Sequence, residues 1–160
     1  KQAAVGMDQA KSAGRNTYSV FDPDMQLTVT TRAALEADLR AALQRDELRL
    51  YFQLQYDLQG RPQGAEALVR WQHPQRGLLG PNEFIALAER SGLILPLGRW
   101  VLRHACEQLV AWAGDPATAD LTVSVNVSVK EFRYPDFVAA VLSTLAKAGA
   151  APARLKFELT

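Results

Sequence analysis

The apolar positions along this chain change period several times, and each change marks a new element. From Thr31, Leu35, Leu39, Ala42 and Leu43 recur at helical spacing, which predicts a helix with one apolar stripe and Thr31 as its N-cap. Two runs rich in apolar and aromatic residues, Leu48–Leu58 and Gln63–Trp71, read as strands. The link between them, Gln59-Gly60-Arg61-Pro62, is too short for a parallel crossover, so as neighbours they must be antiparallel. Gly77 to Pro81 reads as a loop, with Pro81 in the first turn of a helix that runs to Ser91 and stops at Gly92. A longer helix is predicted over Leu95–Trp112.

Leu121–Val129 alternates strictly, with Leu121, Val123, Val125, Val127 and Val129 on one face and Thr122, Ser124, Asn126 and Ser128 on the other. A helix follows over Tyr134–Ala148, ended by Gly149, and then Leu155, Phe157 and Leu159 alternate with Lys156, Glu158 and Thr160 in a last strand. At the other end, residues 1 to 13 are helix-compatible up to a stop at Gly14-Arg15-Asn16, Thr17–Phe21 reads as a short strand, and Asp22-Pro23-Asp24 reads as a turn. From Leu48 onward the order β-β-α-α-β-α-β indicates an α/β layer on a mostly parallel sheet.

Composition narrows the functional classes. Hydrophobic residues make up 48% of the 160 and charged residues 22%, enough for a domain with a core. With 18 basic and 17 acidic residues and no run of either sign, a basic surface for nucleic acid finds no support. The lone cysteine, Cys106, excludes an internal disulfide and fits a reducing compartment, so the cytoplasm is the expected location. No apolar stretch approaches the roughly 20 residues needed to cross a bilayer. The start, without Met, has no signal-peptide core and reads as a piece of something longer.

Candidate chemistry lies on the polar strand faces. Glu66 and Arg70 are four apart on one strand and leave the same face; Asn126 and Glu158 sit on two later strands. Parallel neighbours would bring Glu66, Asn126 and Glu158 to one end of the sheet, where α/β folds bind ligands. Two carboxylates and an amide are hard oxygen donors suited to magnesium, manganese or calcium, and Arg70 beside them offers a forked donor to a phosphate. Spacing alone leaves the alternative of a solvated strand face open for each of these residues. His73 and His104 show no zinc-ligand spacing, and Walker or Rossmann glycine loops are absent.

The string Glu66-Ala67-Leu68-Val69-Arg70-Trp71 resembles the signature of the EAL domain family. Leu50-Tyr51-Phe52-Gln53, Gln72-His73-Pro74, Gly80-Pro81-Asn82-Glu83-Phe84-Ile85, Ala88-Glu89-Arg90-Ser91-Gly92-Leu93-Ile94, Trp100-Val101-Leu102, Ser124-Val125-Asn126-Val127-Ser128 and Phe157-Glu158-Leu159-Thr160 follow in that family's order, so the resemblance runs from about Thr31 to Thr160. Leu54 departs from it, standing where the family usually has Pro. Residues 1–25, with Gln9–Tyr18 and Phe21-Asp22-Pro23, resemble the C-terminal end of a GGDEF (diguanylate cyclase) domain. The implied organisation is a GGDEF-like remnant over 1–25, a linker and joining helix over 26–45, and an incomplete EAL-like domain over 46–160.

The resemblance implies the N-terminal half of a TIM-like (β/α)8 barrel with an antiparallel first strand, agreeing with the hairpin argument above. It implies a cyclic di-GMP-specific phosphodiesterase of a tandem GGDEF–EAL protein, dependent on Mg2+ or Mn2+ and yielding linear pGpG. Carried over by motif position, Glu66, Asn126 and Glu158 would be metal ligands, Arg70 would contact a substrate phosphate, Gln53 would lie beside the nucleotide, and Leu68 would pack near a guanine. The family's acidic pair, its lysine and later Glu and Gln residues fall after Thr160, so the expectation is that this chain alone is inert. Two other readings stand beside this one: part of a non-catalytic cyclic di-GMP receptor, or an interaction module whose exposed sheet edges pair in a homodimer or edge-paired oligomer.

Overall fold

The computed structural model describes residues 23–160, with side chains from residue 31 onward. The helix and strand expected up to Phe21, and nearly all of the proposed 1–25 remnant, lie outside the described residues. Two compact units divide the chain, Lys1–Asp38 and Leu39–Thr160. Of the first, the described part is the body of helix α1 (Pro23–Ala42), whose last turn belongs to the second. Thr31 does not cap this helix, which begins at Pro23 and carries Thr31 in its interior. The run Thr28-Val29-Thr30-Thr31 has weak helix propensity, which hid the earlier start, and Pro23 suits a first helical position because its missing N–H needs no partner there.

The second unit opens with the buried Leu39 and Ala42 and continues into strands β1 (Leu48–Tyr56) and β2 (Pro62–His73). They pair antiparallel, with Gln53 opposite Glu66, Tyr51 opposite Leu68 and Arg49 opposite Arg70. The reversal is tied by Asp57, whose Oδ1 accepts from the N–H groups of Gln59 at 2.9 Å and Arg61 at 2.8 Å. The Arg61 N–H foremost holds that carboxyl below the usual range.

Gly77 to Leu79, expected within a loop, forms a short strand β3 (Gly77–Leu79) that folds back on β2 with Trp71 opposite Leu79. Helices α2 (Pro81–Ser91) and α3 (Ile94–Ala113) come next, α2 ending at Gly92 in the left-handed region at φ 78°.

Strand β4 (Thr122–Val127) lies parallel to β2, and β5 (Leu155–Leu159) lies parallel to β4. The sheet order is β1-β2-β4-β5, with only β1 and β3 antiparallel to β2. Between β4 and β5 come the single-turn helix α4 (Val129–Phe132) and helix α5 (Phe137–Ala148). The strict alternation expected through Val129 therefore ends early: Ser128 caps α4, and Val129 is exposed. Tyr134, expected to begin a helix, lies in the turn before α5.

Helix α3 is the centre of the packing, touching β1, β2 and β4 of the sheet and helices α2, α4 and α5. Its Leu97, Val101, Leu102, Ala105, Cys106 and Leu109 are buried, as are Val123, Val125 and Val127 of β4. Trp71 and Phe84 meet edge to face at 5.8 Å and are both fully buried. One face of the sheet is thus an apolar layer under helices, and the opposite face carries the polar residues of alternating parity.

Candidate functional site

Register places the polar residues in rows across that open face. In one row Gln53 stands opposite Glu66, Glu66 opposite Ser124, and Ser124 opposite Lys156. Asn126 is two residues further along β4 on the same face, and Glu158 stands opposite it on β5. Asn126 Nδ2 donates a 2.7 Å hydrogen bond to Glu66 Oε1. The residues expected on three separate strands therefore share one face near the C-terminal ends of the parallel strands.

A cleft of about 580 Å³ opens there, lined by Glu66, Leu68, Glu89, Asn126, Ser128 and Glu131 among others. Leu68 is half-buried in its wall, whereas Gln53 and Glu158 are exposed. Because the Asn126 amide spends its N–H on Glu66, its carbonyl oxygen stays available as an acceptor. Glu66, Asn126 and Glu158 then offer three hard oxygen donors, about half of a six-coordinate shell, a set that fits a hard divalent cation with water or a ligand completing it. Among the described residues no three His, Cys, Asp or Glu side chains form a metal-binding group.

Arg70 lies beyond Glu66 on β2, two residues past Leu68. Its Nη1 donates to the Val69 carbonyl at 2.9 Å, and its guanidinium carbon stands 5.8 Å from the centre of the Tyr51 ring. Among the described residues no carboxylate pairs with it. An unpaired, half-buried guanidinium on a face with a cleft is suited to an anion.

The turn after Asn126 is built by residues the pattern reading passed over. Ser128 Oγ accepts from the Glu131 N–H at 3.2 Å, and Glu131 Oε2 accepts from the Ser128 N–H at 3.0 Å, a reciprocal capping box. The Ser-x-x-Glu spacing was legible in the sequence, but the run of alternating valines drew Ser128 and Val129 into the strand. Burial pushes the Glu131 carboxyl above the usual range, partly offset by its hydrogen bonds to Ser128. The two histidines are structural: His73 is buried beside Trp71 and accepts from the Gln75 N–H, and His104 stacks on Trp100 at 3.8 Å.

A mixed sheet with an antiparallel first strand, covered by helices on one face and carrying its polar cluster at the ends of the parallel strands, is the first part of a TIM-like barrel. The chain belongs to the EAL domain family, which it matches over residues 36–160. It is 39% identical over 159 residues to the "bifunctional diguanylate cyclase/cyclic di-GMP phosphodiesterase MucR" of Pseudomonas aeruginosa, covering 99% of this chain and 23% of that protein. It is 40% identical over 131 residues to "cyclic di-GMP phosphodiesterase PdeR" of Escherichia coli, 82% of this chain and 20% of that protein. Among solved structures, "PaMucR phosphodiesterase, c-di-GMP complex" superposes with a TM-score of 0.74 at 39% identity, over 78% of this chain and 50% of that one. The chain thus spans about a fifth to a quarter of the curated relatives it matches, and half of that solved domain.

Proposed function

We propose that this chain is part of a cyclic di-GMP-specific phosphodiesterase that opens its cyclic substrate to linear pGpG, within a protein that also carries a GGDEF domain. The observation that supports it best is the Glu66–Asn126 hydrogen bond of 2.7 Å, with Glu158 in register with Asn126 and the unpaired Arg70 on the same face. Glu66, Asn126 and Glu158 would hold magnesium or manganese, and the bound cation would lower the pKa of water and neutralise developing charge at phosphorus. Arg70 binds a phosphate oxygen, Gln53 lies beside the nucleotide, and Leu68 packs against a guanine. Water forms the new P–O bond, the ester P–O bond breaks, and the departing oxygen takes a proton. The GGDEF partner domain is supported by the MucR relative, whose name joins both activities and which aligns over nearly the whole chain.

The two carboxylates and one amide of the cluster leave the shell half supplied, so we expect no hydrolysis by this chain alone at any magnesium or manganese concentration. The test is turnover of cyclic di-GMP by the full-length protein, with E66A as the control. Loss of turnover in E66A supports the assignment. Binding of cyclic di-GMP with no turnover by the wild-type protein would replace the enzyme with a receptor. Turnover that survives E66A would remove the metal site from these residues.

A further inference from the structure

The geometry points to Tyr51 as a positioning residue for the Arg70 guanidinium, an inference that rests on the anion-binding reading of Arg70 given above. Tyr51 and Arg70 are not opposite each other. Tyr51 pairs with Leu68, and Arg70 pairs with Arg49, so the two are diagonal neighbours on the same face of the β1–β2 ladder. Such diagonals lie about 7–8 Å apart at the backbone, within reach of a ring and a long side chain. Here the guanidinium carbon sits 5.8 Å from the ring centre, inside the range for a cation over an aromatic face.

What surrounds the pair strengthens the assignment. Arg49, directly opposite Arg70, carries the same charge and is turned away, its Nη1 on the Asp46 carbonyl at 2.8 Å, Asp46 Oδ1 at 3.2 Å and the Leu48 carbonyl at 2.7 Å. Asp46 therefore serves Arg49, and Arg70 has no carboxylate among the described residues. The Tyr51 ring and the Val69 carbonyl are the two groups that orient it.

The choice of a ring has a chemical consequence. A carboxylate would hold the fork by its N–H groups and compete with a phosphate for them. An aromatic face attracts the cation through its quadrupole and uses none of those donors, so the edge of the fork stays free. Only the single N–H on Val69 is spent. Tyr51 thus orients the guanidinium without blocking the anion it is to receive, and the ring rather than the hydroxyl does this.

The experiment compares the full-length wild-type protein with Y51F and Y51L, using cyclic di-GMP as the probe. Y51F keeps the ring and is expected to retain the wild-type KM. Y51L keeps apolar bulk without a quadrupole and is expected to raise KM about two- to five-fold with kcat unchanged. Because Tyr51 is exposed, both variants should melt as the wild type does. An unchanged KM in Y51L, or a rise in Y51F equal to that in Y51L, overturns the assignment. A second readout is independent of the nucleotide: the δ-methylene protons of Arg70, in arginine-labelled protein, should show an upfield ring-current shift that Y51F keeps and Y51L abolishes. If the wild-type protein neither binds nor hydrolyses cyclic di-GMP, the substrate reading fails while this shift still decides the role of Tyr51. Absence of the shift in the wild type refutes that role outright.

Discussion

Gly98 lies in the second turn of α3, where a residue with a side chain would ordinarily favour the helix. An added Cβ there would fall on Glu131 Oε1 and come within 2.8 Å of Glu131 Cδ. The carboxylate cannot yield cheaply, because its Oε2 holds the Ser128 N–H and the residue is 8% exposed. G98A should therefore expel the Glu131 carboxylate and break a buried hydrogen bond, a loss of about 1–3 kcal/mol. Replacing Gly by Ala inside a helix returns about 1 kcal/mol, so the expected net effect lies between no change and a destabilisation of about 2 kcal/mol. In an E131A background the obstacle is gone and only the helix gain remains, so the same G98A change should stabilise by about 0.5–1 kcal/mol. The loss that vanishes with Glu131 makes the double-mutant cycle decisive, with a coupling of about 1–3 kcal/mol. Urea denaturation followed by tryptophan fluorescence measures all four proteins. An equal effect of G98A in both backgrounds, of either sign, would refute the wedge of Glu131 against Gly98.

Two further outcomes are expected. Burial raises the folded-state pKa of Glu131, so its favourable contribution is complete below the unfolded value near pH 4.3 and is lost as pH rises through the folded value. E131Q keeps an acceptor for the Ser128 N–H without the charge; its melting temperature relative to wild type should therefore be higher at pH 8 than at pH 4.5, and a pH-independent difference would contradict the burial argument. Trp71 is fully buried against Phe84 and donates from Nε1 to Glu47 Oε2 at 3.2 Å, so W71A should cost about 3–5 kcal/mol and erase most of the cooperative urea transition; an unfolding free energy within about 1 kcal/mol of wild type would show that the core does not depend on it.

Several elements were readable because their causes are local. The short link before Pro62 admitted only a hairpin, and β1 and β2 are antiparallel. The alternation of Leu121 to Val127 assigned Asn126 to the polar face, and Glu66 and Arg70 share a face because a strand repeats every two residues. Where two local signals competed, pattern reading erred. Alternation through Val129 outweighed the Ser128–Glu131 capping box, and the β-branched run at Thr28–Thr31 concealed the first turns of α1.

By itself, then, the order of residues determined which side chains face away from the helices, and so the stock of oxygen donors and the guanidinium available for chemistry. Tertiary structure alone decided which of them meet. The β2–β4 register that lets Asn126 reach Glu66 joins residues sixty positions apart, the diagonal of Tyr51 and Arg70 depends on the β1–β2 register, and the fit of Glu131 depends on how closely α4 approaches Gly98. Strand register and helix approach are set by the packing of the whole apolar layer, and a shift of one residue would turn each of these polar groups to the other face.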